Sequence, residues 1–147
     1  MSLRIRGDGT EPVDDDEILC RKATANPQAG YYNQETKRLS PLAFKPGGED
    51  DTGISLDRAK YRTAQQAAQG LGNSYYVALV RAGEVRACGM SVTPRPIEGN
   101  AGHVEIPEIT FANKKETASL ERQKLLAHEL TYEVQGPFEK TTTKPLQ

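Results

Sequence analysis

The chain has 147 residues, of which 36% are hydrophobic and 27% are charged, with 19 Lys and Arg against 20 Asp and Glu. This length is usual for one domain. Because the positive and negative charges nearly cancel, the chain creates no overall field that would attract nucleic acid or an anionic membrane. No apolar run approaches the roughly 20 residues needed to cross a bilayer, and the polar start lacks the apolar region of a signal peptide. We therefore expect a cytoplasmic protein that binds neither nucleic acid nor a membrane.

Both ends of the chain are predicted to be flexible tails. Residues 1–16 combine turn-forming glycines and Pro12 with the like charges of Asp14–Asp16, and residues 137–147 have no apolar period. A single domain is therefore expected over residues 17–136.

The first part of this domain is predicted to form three strands. Residues Glu17–Ala23 alternate well enough for a strand, and Leu39–Phe44 is interpreted as a second, short and buried one. In the third strand, which begins at Ile54, the side chains of Ser55 and Asp57 point away from the apolar face. Asp57 has a second possible role, as the cap of the segment that follows.

A short helix is predicted over residues 63–70. Thr63 can cap it while Gln66 reaches back three positions, and the glycines that follow end it. The alanine-rich face of this helix indicates close packing on a sheet.

Two apolar runs, Tyr75–Val80 and Val85–Val92, are interpreted as the strands of an antiparallel hairpin. His103–Ile106 is a further strand, which Pro107 restricts to an edge or an end. Apolar residues at helical spacing predict a longer helix over Thr117–Val134. The expected fold is α+β: a mainly antiparallel sheet of about five strands, with one short and one longer helix packed on one face.

The two cysteines, Cys20 and Cys88, lie in separate strand-like segments and are predicted to be reduced, buried thiols. A zinc site would have to gather both of them with His103 and His128, and no close Cys or His pair begins such a site. We therefore predict no metal site.

His103 is the candidate for acid and base chemistry, because imidazole exchanges protons near neutral pH. Glu105 lies two residues on, on the same strand face, so the two are candidate catalytic residues that could pair directly. The alternative is that His103 hydrogen-bonds a turn carbonyl beside Gly102. In the same way, Asp57 and Arg58 are candidate ligand-binding residues, with a cap or a surface ion pair as the alternative.

Four segments of the chain resemble, in the same order, a group of small uncharacterised bacterial proteins. They are Arg38–Phe44 (RLSPLAF), residues 53–57 (GISLD), Pro94–Pro96 and residues 102–106 (GHVEI), followed by a final helix. The resemblance covers most of residues 17–130. It implies a single bacterial domain and implies no activity.

A separate analogy concerns the NAD site of ADP-ribosyltransferase-like folds. In that arrangement Arg21 would hold a phosphate or ribose, Ser55 would lie on the second strand, and Glu84 or Glu105 would orient the ribose hydroxyls. A guanidinium forks onto phosphate oxygens, and a carboxylate stabilises an oxocarbenium-like centre. The analogy requires Arg21 and Glu105 on the same face of the sheet.

Two classes of function follow from these features. The preferred one is a non-catalytic module that binds a protein partner or a small ligand and needs no cofactor, because no nucleophile–base pair or metal spacing is visible in the sequence. The alternative is an enzyme that uses NAD or another nucleotide through Arg21, Ser55, His103 and Glu105.

Overall fold

An antiparallel sheet of six strands forms the centre of the fold in the computed structural model, which describes residues 8–26, 28, 30–68 and 74–138. The strands within these residues are β1 (Ile18–Thr24), β2 (Tyr32–Asn33), β3 (Arg38–Leu39), β4 (Ile54–Arg58), β5 (Tyr75–Arg81), β6 (Thr93–Pro94), β7 (His103–Ile106) and β8 (Glu133–Phe138). The large sheet has the order β6-β7-β4-β1-β5-β8, and β2 pairs with β3 in a separate ribbon. This architecture confirms the α+β class and the antiparallel sheet, with six strands where about five were expected.

The two faces of the sheet differ in chemistry because successive residues of a strand point to opposite sides. The core face carries Ile54 and Leu56, which join the main hydrophobic cluster. The polar face carries Ser55 and Asp57, as the alternation in the sequence predicts. Strand β7 lies in the interior of the sheet and ends where Pro107 follows it.

The helices cover opposite faces of this sheet. Helix α1 (Ala64–Ala68) packs Ala67 and Ala68 against Cys20 and Val77 on the polar face. The predicted capping box is present, since Gln66 N–H donates to the Thr63 hydroxyl and Thr63 N–H donates to the Gln66 side chain. The predicted end of this helix lies outside the described residues.

The last helix packs on the core face. Helix α3 (Thr117–Leu125) continues as a π-helical turn over Leu126–Leu130, whose Leu126, Ala127 and Leu130 side chains join the main cluster. The sequence predicts both helices on one face of the sheet, and this prediction is wrong. Strand β5 is apolar on both sides, so each side is buried by a different helix. Within the described residues, none of the helices is long and apolar enough to cross a membrane.

The predicted hairpin is half correct. Its first strand is β5, but the second run begins with helix α2 (Ala82–Ala87), in which Ala82 and Val85 are buried at helical spacing. Cys88 follows this helix and is exposed, whereas Cys20 is buried as predicted. The short apolar run satisfied both periodicities, and packing selected the helix.

Three further segments differ from the expectation. Residues Pro41–Phe44 form a 3-10 helix rather than a strand, because the Ser40 side chain accepts a hydrogen bond from Leu42 N–H and Pro41 favours the first helical turn. The final helix stops at Leu130, and Val134 lies in β8. Residues 137 and 138, assigned to a tail, complete β8.

The segment over residues 8–16, also assigned to a tail, packs against the domain. Val13 is buried in the main cluster, and the carbonyls of Gly9, Glu11 and Pro12 accept hydrogen bonds from Arg58. The packed region therefore begins earlier than residue 17.

Candidate functional site

An open depression of about 790 Å³ lies between β1 and β4, and its lining combines residues of the polar face with core-face residues such as Ala43 and Leu56. Strands β1 and β4 pair only at Leu19–Arg58 and Cys20–Asp57. Beyond that point the Arg21 side chain bridges the strands by donating to the Ser55 carbonyl. Because β1 and β4 pair over only two residues, they leave an open space beyond Cys20 and Asp57. The polar side chains of β4 and β7 form the floor of this depression.

Four polar side chains face each other in two cross-strand pairs on this floor. Asp57 lies opposite His103, and Ser55 lies opposite Glu105. Cross-strand neighbours on one face are close enough to interact directly. The register therefore brings together four of the six site residues that the sequence suggests.

His103 is held by hydrogen bonds at both ring nitrogens. Its Nδ1 lies 2.8 Å from the Arg95 carbonyl oxygen, and its Nε2 lies 3.0 Å from the Ser55 hydroxyl. A carbonyl oxygen only accepts, so in the neutral ring Nδ1 carries the hydrogen and Nε2 accepts from Ser55. The predicted carbonyl partner exists, but it belongs to Arg95 rather than to the turn at Gly102.

Glu105 has partners other than His103. Its carboxylate accepts from the Thr52 hydroxyl at 2.5 Å and pairs with Arg95 Nε at 3.2 Å. The direct His103–Glu105 pair is not formed among the described contacts, because these neighbours hold the carboxylate.

Asp57 is the least satisfied charged group on the floor. Its side chain is buried, with 7% of the residue exposed, and one carboxylate oxygen accepts from Asn100 Nδ2 at 2.6 Å. No described residue donates to its second oxygen or forms an ion pair with it. Burial, together with the nearby Asp57 charge, raises the pKa of the Cys20 thiol to about 12. Cys20 therefore stays protonated beside this carboxylate.

Arg21 is fully engaged with the main chain. Its guanidinium donates to the carbonyls of Ala43, Ser55 and Lys45 at 2.9, 2.8 and 3.1 Å. Because β1 keeps an unbroken register with β5, Arg21 belongs to the core-face set of β1, whereas Glu105 lies on the polar face. Both residues line the depression, but by strand alternation they belong to opposite faces of the sheet, whereas the NAD-site analogy requires one shared face.

Arg58 is a structural centre away from the depression. It is completely buried, and its Nε and Nη2 atoms bind both carboxylate oxygens of Glu17 at 2.8 and 2.7 Å. The hydrogen bonds to Glu17 are the main cause that raises the pKa of Arg58. The neighbours Asp57 and Arg58 therefore point to opposite faces and do not form one ligand site.

Sequence reasoning missed two residues of the site. Asn100 holds Asp57 from a turn that follows β6, and the Asp50 carboxylate lies 3.4 Å from the Ser55 hydroxyl. Because Asp50 lies in an acidic loop, the sequence predicts only that it is exposed to solvent. No motif or spacing in the sequence points to Asn100. Within the described ranges, no three His, Cys, Asp or Glu side chains form a cluster that could hold a metal ion.

The fold and site define an α+β protein with a polar depression on an antiparallel sheet. Comparisons of the chain with protein-family models, curated proteins and solved structures give no match. The residues of the site itself therefore carry the functional inference.

Proposed function

We propose that the protein is a small-ligand-binding domain and that its ligand is a polar molecule with hydroxyl or amine groups. The observation that carries the proposal is the second carboxylate oxygen of Asp57, buried on the floor without a donor among the described residues. An unsatisfied buried carboxylate is costly, and a ligand donor would remove that cost on binding.

The size and walls of the depression support a small ligand rather than a macromolecule. Its volume of about 790 Å³ falls within the range of roughly 300–1,000 Å³ typical of small-molecule sites. Apolar contact is available at the rim from Leu42 and Ile97, which are 46% and 54% exposed, and from the ring of Tyr31.

The charges around the depression favour a hydroxylated ligand of low net charge. The lining contains both basic and acidic residues in similar numbers, so neither sign dominates: they are Arg21, Lys22, Lys45 and Arg62 against Glu49, Asp50, Asp57, Glu98 and Glu105. Carboxylates, the Ser55 hydroxyl and Asn100 all bond readily to sugar or ribose hydroxyls.

Thermal unfolding with a panel of sugars, nucleosides, polyamines and NAD tests this proposal. A ligand at a hundred times its Kd should add about 2.7 kcal/mol to the free energy of unfolding and raise the melting temperature by several degrees. Asp57→Asn should weaken binding of the best ligand at least about tenfold, since it replaces a charged acceptor.

Asp51→Asn is the matched control, because Asp51 is an exposed carboxylate of the nearby loop. Equal binding by wild type and Asp57→Asn would contradict the assignment of the ligand to Asp57. The absence of stabilisation by every member of the panel would contradict the proposed class of ligand.

A further inference from the structure

The Ser55–His103 pair on the floor has the geometry of a nucleophile and its base. The hydroxyl lies 3.0 Å from Nε2, and the Arg95 carbonyl holds Nδ1 on the other side of the ring at 2.8 Å. A nucleophilic serine requires a base within hydrogen-bond reach that is itself oriented by a third group. These requirements are met by Ser55 together with His103 and Arg95, which lie 48 and 40 residues further along the chain.

We propose that Ser55 is a nucleophile activated by His103 and that the depression hydrolyses a small ester or thioester. The proposal rests on the proposed function for the place where the substrate lies. It adds a reaction to that function and names acyl derivatives of hydroxylated molecules as the substrate class.

The competing acceptor for the Ser55 hydrogen is Asp50, whose carboxylate lies 3.4 Å from the hydroxyl oxygen. The contact with His103 is shorter and lies at an ordinary hydrogen-bond distance, so the hydroxyl hydrogen points to Nε2 in the neutral pair. After proton transfer, the imidazolium donates through Nδ1 to the Arg95 carbonyl, which stabilises the new charge.

The reaction balances without a cofactor. Ser55 Oγ attacks the acyl carbon while its proton moves to Nε2 of His103, and the intermediate expels an alkoxide or thiolate that takes this proton. The product is an ester on Ser55. A water molecule then attacks the ester, its proton passes through Nε2 back to Ser55 Oγ, and a carboxylic acid leaves.

Lys22 gives the depression positive charge on the side of β1. It lies on the same face as Cys20, two residues beyond the last β1–β4 pair, and its Nζ lies 5.3 Å from the centre of the Tyr75 ring. A cation near the reacting carbonyl stabilises the negative oxygen of the intermediate. Lys22→Gln should therefore slow acylation more than it weakens binding.

A fluorophosphonate probe on the folded protein tests the nucleophile directly. We expect phosphonylation of Ser55 and none of Ser91, an exposed serine whose hydroxyl donates to the Glu108 carboxylate at 2.7 Å. Ser91 is the internal control because it has a carboxylate partner and no histidine. Ser55→Ala should abolish labelling, and His103→Gln should slow it by about 10²-fold or more.

The comparison of Ser55 with Ser91 in the wild-type protein needs no variant, so it holds even if His103→Gln does not fold. Labelling absent from Ser55, or equal at Ser55 and Ser91, would overturn the nucleophile. If hydroxylated ligands still stabilise the wild type and lose affinity in Asp57→Asn, the binding function stands and only the reaction is excluded.

Discussion

Two neighbouring residues of β4, Asp57 and Arg58, show that buried charges in one strand can have different roles. Arg58 lies on the core side, where every guanidinium nitrogen has a carboxylate or carbonyl partner. Asp57 lies on the polar face, where one oxygen has a described partner and the other has none. Both groups are more than nine-tenths buried. The number of partners, rather than burial, separates the structural charge from the candidate binding group.

The Arg58 cluster also fixes carboxyl groups of the segment before β1. Burial alone would raise the pKa of Glu17, but the hydrogen bonds from Arg58 outweigh it and lower that pKa. Burial likewise opposes the shift at Glu11, where the Tyr61 hydroxyl, helped by Lys60 and Arg58, lowers the pKa to about 2. The cluster thus ties residues 8–17 to β4 by groups that are charged at neutral pH.

The largest effect is expected from Arg58→Met. It leaves Glu17 buried with only the half-exposed Lys60, at 3.6 Å, as a cation, and it leaves three main-chain carbonyls without their Arg58 donors. The free energy of unfolding should therefore fall by about 3 to 5 kcal/mol. Urea denaturation measures this. Arg86→Met, which breaks the more exposed pair with Asp15, is the control and should cost less than about 1 kcal/mol. Equal losses in the two variants would contradict a structural role for Arg58.

Acid should weaken the same cluster by a smaller amount, because Arg58 keeps its carbonyl partners. A carboxyl whose folded pKa is depressed stabilises the protein above its unfolded pKa, and this contribution is lost as the pH falls through the folded pKa. For Glu11 the window runs from 4.5 down to about 2. Urea denaturation across this range should show a falling free energy of unfolding.

Tyr61→Phe provides the matched comparison for this acid loss. It removes the hydroxyl that donates to Glu11 at 2.7 Å, so the pKa of Glu11 should rise and the window should narrow. An unchanged pH dependence in this variant would contradict the assignment to Glu11.

The smallest effect, and one of opposite sign, is expected from Asp57→Asn. The amide can still accept from Asn100, and the variant removes a buried charge without a full set of partners, so stability should rise by up to about 1 kcal/mol. Thermal and urea unfolding measure the change, with Asp51→Asn as the control. A loss of more than about 1 kcal/mol would place Asp57 with Arg58 among the structural charges.

Local patterns in the sequence predicted several parts of this picture. Alternation in β4 and β7 placed Ser55 with Asp57, and His103 with Glu105, on single faces, and the spacing of Thr63 and Gln66 predicted the capping box. These features depend on residues within a few positions of each other.

The arrangement of the site could not be predicted because it depends on register over long distances. Nothing local indicates that β4 pairs with β7 so that Asp57 meets His103, or that a turn brings Asn100 to Asp57. The 82–87 segment illustrates the same limit, since its apolar spacing fits a strand or a helix and only packing decides.

The positions of two prolines have a consequence for the behaviour of the protein at high concentration. Pro94 lies in β6 and Pro137 in β8, the strands at the two borders of the sheet, and β6 is only two residues long. A proline has no N–H to offer to an added strand, and a border of two residues such as β6 gives little template for one. Both border strands are therefore poor templates for a strand of another molecule. The sequence of the sheet thus disfavours aggregation by edge-to-edge strand pairing.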